Sequence, residues 1–219
     1  MSDLTTSLAP EQLRSVYLRL VADESVPEQA RQQFGYLRRL ATDLMVGLAL
    51  DGPESVRVLD DRDVAGLGWG ELSAPGRANL LAEPVDHHTV EQPGGAVLHL
   101  LGHPESVFAA SKLLVFEEAV RAAGGPALPE EGVLLVVPNR HNLLFYPLAD
   151  GHVAEAVNAL AQFGQGAYED GPGRLSPRVF WWRAGELTSI THFDPETRTA
   201  SVVPPEELMA VMRRLVGAA

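Results

Sequence analysis

The feature that most constrains the fold is a series of short apolar runs separated by turns of two to five residues. In the stretch GVLLVVPNRHNLLFYPLADG, residues 132–151, two such runs flank a polar segment. Short runs rich in β-branched and aromatic residues, bounded by Gly and Pro, are typical of strands. Strands joined by short turns are antiparallel, because parallel neighbours need long crossovers. The predicted sheet strands are residues 85–90, 96–101, 133–137, 143–146, 178–183, 187–193 and 199–203.

Helices are predicted before, between and after these hairpins. The predicted helices are residues 70–82, residues 106–123, the segment that follows Asp150 and the segment that follows Pro205. A loop rich in Gly and Pro is expected over residues 164–177. The predicted fold class is therefore α+β, a largely antiparallel sheet of hairpins covered by helices.

Residues 8–52 are predicted to form an N-terminal helical hairpin. Apolar side chains recur at three- and four-residue spacing in its first half, which indicates one buried helical face. Ser25 and Glu28 have the spacing of a capping box at the start of a second helix. With 219 residues, the chain suits one domain, so we expect a single α+β domain over residues 1–219 with a helical subdomain over residues 8–52.

The composition limits the classes of partner. The net charge is −12, and a single lysine, Lys112, stands among sixteen arginines that are scattered along the chain. Phosphate-backbone recognition needs clustered basic residues, so we expect neither nucleic acid nor membrane as a partner. The absence of cysteine removes thiolate and iron–sulfur chemistry. We expect a cytoplasmic protein without a signal peptide and without a cofactor.

The turn inside the opening stretch is the first candidate site. Asn139, Arg140 and His141 lie between two predicted strands. Arginine presents a planar fork of donors that suits a carboxylate or phosphate, and histidine both donates and accepts near neutral pH. Loops held by rigid strands are common binding sites, although a polar turn also needs no function beyond reversing the chain.

Ser111 and Trp182 are further candidates. Ser111 interrupts an apolar predicted helix, where it serves either close packing or a polar site. Trp182 follows Trp181 on a predicted strand, so the two indoles face opposite sides of the sheet. One indole then forms an exposed protein-binding patch, or both are buried if the sheet is covered on both faces.

Seven histidines raise a metal-site hypothesis. His87 lies on a predicted strand that pairs with the strand of His99, and His103 follows four residues later. These three side chains are the candidate ligands of a divalent metal. The acidic cluster at residues 60–63 lacks the glycine and the distal glutamate of a calcium loop, so it is interpreted as a turn or helix cap.

Three short motifs resemble an uncharacterised YtpQ-like bacterial family. They are GRANLLAEP, ESVFAASKLLV and GVLLVVPNRHNLLFYPL, which occur at similar spacing in that family, and the resemblance covers about residues 55–165. The matching positions are Trp69, Ala78, Asn79, Leu80, Ala110, Ser111, Leu113, Leu114, Pro138 and Arg140. The resemblance implies that Asn79, Ser111 and Arg140 lie together. His141 departs from the family pattern, which has an Asp at this position.

The sequence favours a non-catalytic module that binds a protein partner or a small ligand, because it lacks nucleophile and phosphate-loop motifs. One alternative is a metal-assisted hydrolase that uses His87, His99 and His103. A second alternative, based on the acidic charge, is an inhibitor or immunity-type protein that binds a basic partner.

Overall fold

The computed structural model describes residues 8–9, 11–194, 196–197 and 199–218. The strands are β1 (Val16–Ala22), β2 (Arg38–Ala41), β3 (Leu44–Asp51), β4 (Val56–Val58), β5 (Asp86–Glu91), β6 (Val97–Gly102), β7 (Val133–Asn139), β8 (Asn142–Pro147), β9 (Phe180–Arg183), β10 (Glu186–Ser189), β11 (Thr191–Asp194) and β12 (Thr199–Val202). The α-helices are α1 (Asp61–Ala65), α2 (Gly68–Ala82), α3 (Phe116–Ala122), α4 (Val153–Asp170) and α5 (Glu206–Gly217). Within these residues, no helix is both long enough and apolar enough to cross a lipid bilayer.

A six-stranded antiparallel sheet forms the centre of the molecule, in the order β10-β9-β7-β8-β6-β5. Its hairpins are the ones that the sequence predicts, including the pair that flanks the Asn139–Asn142 turn. The α+β class with antiparallel strands and several helices is confirmed.

The predicted N-terminal helical hairpin is wrong, because this region forms a second, four-stranded sheet. Strand β3 pairs with β1 along one edge, and with β2 and β4 along the other edge. Asp43 adopts a positive φ of 66° in the two-residue turn between β2 and β3. Instead of capping a helix, Ser25 donates a hydrogen bond to the Ala22 carbonyl, and Glu28–Gln33 is a short 3₁₀ helix. The apolar spacing in β1 therefore reflects a strand that is buried along most of its length.

Both faces of the central sheet are covered. One face packs against the N-terminal sheet, α2 and α3 in a shared apolar core. The other face packs against α4 and α5. Trp182 belongs to the first core and Trp181 to the second, and each is 7% exposed. The adjacent tryptophans therefore point to opposite faces as the strand alternation requires, and both are buried.

Three predicted elements differ from the structure. The predicted strand over residues 187–193 is two strands, β10 and β11, and β11 pairs with β12 in a separate two-stranded sheet. The predicted helix over residues 106–123 is a 3₁₀ helix, Ala110–Val115, followed by α3. The predicted loop over residues 164–177 is helical up to Asp170. Helix α4 continues through Gly164 and Gly166, which the sequence predicts to lie in the loop. Gly164 lies where α4 crosses β7, and a Cβ there would meet the Val136 side chain at 3.3 Å. Glycine at this position therefore permits close packing of helix on strand.

Lys112 joins the 3₁₀ helix to the end of α2. It is 1% exposed, and its ammonium donates hydrogen bonds to the carbonyls of Leu80 at 2.6 Å and Glu83 at 2.5 Å. Leu81 accepts a longer bond of 3.4 Å. The last carbonyls of a helix have no partner within the helix, so the buried ammonium satisfies groups that would otherwise be unpaired. Burial lowers the pKa of Lys112, while Glu83 opposes the shift.

Candidate functional site

The turn between β7 and β8 is held from the inside by Asn139, which is 2% exposed. Its amide oxygen accepts hydrogen bonds from the backbone N–H of His141 at 3.0 Å and from the side chain of Asn142 at 3.1 Å. Its amide nitrogen donates to the carbonyl of Ala167 in α4 at 2.9 Å. Asn139 therefore fixes the turn to the helix behind it, and the residue that follows is presented on a rigid support.

Arg140 is held through its backbone on both sides. Its N–H donates to the carbonyl of Gly173 at 3.0 Å, and its carbonyl accepts from the N–H of Ala110 at 3.1 Å. The side-chain Nε lies 3.0 Å from Nε2 of His141. Nδ1 of His141 lies 3.0 Å from the carbonyl of Ser106, so the proton of the neutral imidazole is on Nδ1 and Nε2 accepts from Arg140.

Arg140 lines a cavity of about 520 Å³ together with Arg19, a residue of β1. We call this cavity the Arg19–Arg140 pocket. It is also lined by Asp51, Gly52, Glu54, Ser55, Val56, Glu83, Glu105, Val107 and Phe108. The guanidinium of Arg19 lies over the ring of Phe108, 5.2 Å from its centroid, and donates a long bond of 3.4 Å to the Val107 carbonyl. The pocket thus combines two guanidinium groups with four carboxylates.

Neither arginine of the pocket has an ion-pair partner within the described part of the chain, whereas seven other arginines do. Burial lowers the pKa of Arg19 to about 10, the positive charge of Arg140 adds to this effect, and Asp51 opposes it. The two positive charges therefore destabilise each other. A negatively charged ligand group between them would relieve this repulsion.

The sequence identified Arg140 but not Arg19. Arg19 alternates with the buried Leu18 and Leu20 along β1, so its side chain lies on the face opposite to theirs. This alternation is visible only when residues 16–22 are assigned as a strand. The incorrect helical assignment therefore concealed the second arginine of the pocket.

Asn79 and Ser111 do not line this pocket. The Asn79 amide donates to the carbonyls of Arg14 at 3.0 Å and Val16 at 2.7 Å, which joins α2 to the start of β1. The Ser111 hydroxyl accepts from the backbone N–H of Leu20 at 3.0 Å. Both side chains hold β1 in place, and β1 in turn positions Arg19.

Of the three candidate metal ligands, His87 and His99 contact each other, whereas His103 has a different hydrogen-bond partner. Nε2 of His87 lies 2.9 Å from Nδ1 of His99, and their rings stack with centroids 5.2 Å apart. His103 instead accepts a 3.3 Å bond from the Glu105 N–H. Across the residues that the structure describes, no group of three or more His, Cys, Asp or Glu side chains is arranged to hold a metal ion. Asp60 and Asp63 form a capping box at the start of α1.

Comparison with protein-family models, with curated proteins and with solved structures finds no match to this chain. The resemblance to the YtpQ-like family stays a prediction.

Proposed function

We propose that this chain is a non-catalytic binding module whose Arg19–Arg140 pocket takes a small zwitterion, such as a free amino acid or a short peptide. The observation that carries the proposal is a pair of guanidinium groups that line one cavity with four acidic residues and form no ion pair within the described residues. The proposal narrows the sequence-based expectation of a protein- or ligand-binding module to a class of ligand.

The two arginines suit the carboxylate of such a ligand. Within the described residues, the Nη atoms of Arg140 donate no hydrogen bond, since only Nε is engaged, by His141. A guanidinium with free N–H groups binds a carboxylate through two parallel hydrogen bonds. Within the same residues, Arg19 engages only one Nη, in a long bond of 3.4 Å to the Val107 carbonyl, so its other N–H groups are available to a ligand.

The four carboxylates suit a cationic group on the same ligand. Asp51, Glu54 and Glu105 are exposed at the pocket, and Glu83 is half-buried. Because carboxylates outnumber guanidinium groups, a doubly charged phosphate would meet net repulsion. A zwitterion places its carboxylate beside the two arginines and its cationic group beside the acidic residues. A cavity of about 520 Å³ falls within the range of small-molecule sites.

The hydrogen bonds of His141 support binding rather than catalysis. Both of its ring nitrogens are engaged, one by Arg140 and the other by the Ser106 carbonyl. A general base needs a free nitrogen within reach of the proton that it removes. His141 therefore acts as a support for Arg140 in this proposal.

Isothermal titration calorimetry with five probes tests the proposal: L-lysine, glycine, acetate, methylammonium and inorganic phosphate. L-lysine and glycine are expected to bind more tightly than acetate, methylammonium or phosphate. Arg140→Gln and Arg19→Gln should each weaken L-lysine binding about tenfold or more, the loss of one charged hydrogen-bonding partner. Arg213→Gln, at an exposed position on α5, is the matched control and should leave the affinity unchanged. Preferential binding of phosphate, or equal affinity in all variants, would contradict the proposal.

A further inference from the structure

The indole N–H groups of the adjacent Trp181 and Trp182 differ in their hydrogen bonding. The neighbouring Trp181 donates through Nε1 to the Glu131 carbonyl at 2.8 Å, whereas no acceptor for Nε1 of Trp182 exists among the residues that the structure describes. In the same residues, no fully buried side-chain nitrogen or oxygen lacks a partner. The Trp182 N–H is therefore not fully buried, although the side chain as a whole is only 7% exposed, and Trp182 lines two cavities.

Trp182 borders a cavity of about 630 Å³ on the side of the molecule formed by α3 and the segment 125–130. We call this cavity the Trp182 pocket. Its apolar lining includes Val120, Pro126, Leu128 and Pro129 beside the indole. Two carboxylates, Glu117 and Glu130, and one guanidinium, Arg121, also line it, and all three side chains are exposed. A second cavity of about 240 Å³ shares Trp182 and Glu117 as lining residues.

The walls of the Trp182 pocket are held by specific contacts. The ring of Phe116 meets the Trp182 indole edge-on, with centroids 5.1 Å apart and an angle of 68°. The Gly125 N–H donates to the Val120 carbonyl at 2.8 Å, and Nε of Arg183 donates to the Glu130 carbonyl at 3.2 Å. These contacts fix the donor and the apolar wall before any ligand arrives, which lowers the entropic cost of binding.

We propose that the Trp182 pocket binds a small aromatic molecule with a primary amide group. The apolar wall takes the ring, since sites of this kind are mostly apolar with a few placed polar groups. The amide oxygen accepts from the Trp182 N–H, and the amide NH₂ donates to Glu117 or Glu130. A carboxylate in place of the amide would meet net repulsion, because the two acidic side chains outnumber the single guanidinium of Arg121. This site is separate from the Arg19–Arg140 pocket and does not depend on the function proposed for it.

Two-dimensional ¹H–¹⁵N NMR of the tryptophan indole groups tests this inference, with benzamide, benzoate and toluene as probes. Benzamide should shift the Trp182 indole signal downfield and leave that of Trp181 in place, because Trp181 already donates to Glu131. Trp182→Phe identifies the signal. We expect benzamide to bind at least about tenfold more tightly than toluene or benzoate.

Two variants separate the two polar contacts. Trp182→Phe should remove the advantage of benzamide over toluene, because it removes the donor and keeps an aromatic ring. The double variant Glu117→Gln, Glu130→Gln changes only exposed side chains. It should reduce the difference in affinity between benzamide and benzoate. Arg140→Gln should not alter benzamide binding. Absence of benzamide binding, equal affinity for all three probes, or benzamide affinity unaffected by Trp182→Phe would each overturn the inference.

Discussion

Nε of Arg140 donates a hydrogen bond to Nε2 of His141, and the two atoms lie 3.0 Å apart. Because Nδ1 of the same ring donates to the Ser106 carbonyl, the interaction requires neutral His141. Burial lowers the pKa of His141, the positive charges of Arg140 and Arg19 act in the same direction, and the Ser106 carbonyl opposes them. The orientation of the guanidinium therefore depends on the protonation state of its neighbour.

Acid is expected to weaken L-lysine binding at the Arg19–Arg140 pocket. Protonation of His141 removes the acceptor that holds Nε of Arg140, so the guanidinium loses the orientation in which it binds the ligand. Since the pKa of His141 is lowered, the loss should occur below its ordinary value of about 6.5. Calorimetry between pH 7.5 and pH 5 measures the effect. His141→Gln should flatten the dependence and His192→Gln, at an exposed position, should retain it. A pH-independent affinity in the unmodified protein would contradict this prediction.

The free energy of unfolding is expected to fall as the pH drops from about 6.5 to 4, in part because of His99. Burial lowers the pKa of His99 to about 4, and the neighbouring His87 adds to the shift. In this pH range the unfolded chain binds a proton at His99 and the folded chain does not, so acid favours the unfolded state. Urea unfolding at several pH values measures the slope.

Two histidine variants, one on β6 and one on its partner strand β5, isolate the contribution of His99 to this pH dependence. His99→Gln should reduce the slope between pH 6.5 and pH 4. His88→Gln is the matched control, because His88 lies on β5 beside His87 but is exposed. Equal slopes in the unmodified protein and in His99→Gln would show that the His87–His99 pair does not contribute.

Lys112→Met is expected to destabilise the protein by about 1–3 kcal/mol, the usual cost of leaving buried acceptors unpaired. Methionine fills a similar volume but cannot donate to the carbonyls of Leu80 and Glu83. Urea unfolding at neutral pH measures the change. Arg62→Met replaces an exposed cation and should leave the midpoint unchanged. A Lys112→Met midpoint equal to that of the unmodified protein would contradict the capping role.

Ser111→Ala is expected to cost about 1–3 kcal/mol, because the N–H of Leu20 would be left buried without an acceptor. The same change should also weaken L-lysine binding, since Ser111 holds the strand that carries Arg19. Ser201→Ala, at an exposed position on β12, serves as the control. Thermal unfolding and calorimetry give the two readouts. Unchanged stability in Ser111→Ala would contradict this role of the hydroxyl.

The sequence predicted the central hairpins because their runs are short, rich in β-branched residues and bounded by clear turn residues. The N-terminal region misled the prediction because a strand buried along most of its length lacks a clean two-residue alternation. In β1, Tyr17 and Val21 fill positions that a half-exposed strand would give to polar residues. Short apolar runs of this kind fit both a helix and a strand, and periodicity alone does not separate the two.

Only part of the candidate site was predicted from the sequence, and the reason is related. Arg140 stands in a turn whose position follows from the local sequence. Arg19 reaches the same cavity only through the packing of one sheet against the other, which is a long-range contact. The free donor of Trp182 was likewise not predicted. It emerges from the structure because Trp181 donates to the Glu131 carbonyl, whereas Trp182 has no acceptor among the described residues.

The burial of Lys112 has a consequence for covalent labelling. The chain contains no other lysine, and this one is 1% exposed with its amine engaged by backbone carbonyls. Acylating reagents that target side-chain amines should therefore react only when the 3₁₀ helix separates from the end of α2. The rate of lysine acylation in the unmodified protein would then report how often this junction opens, without an introduced probe.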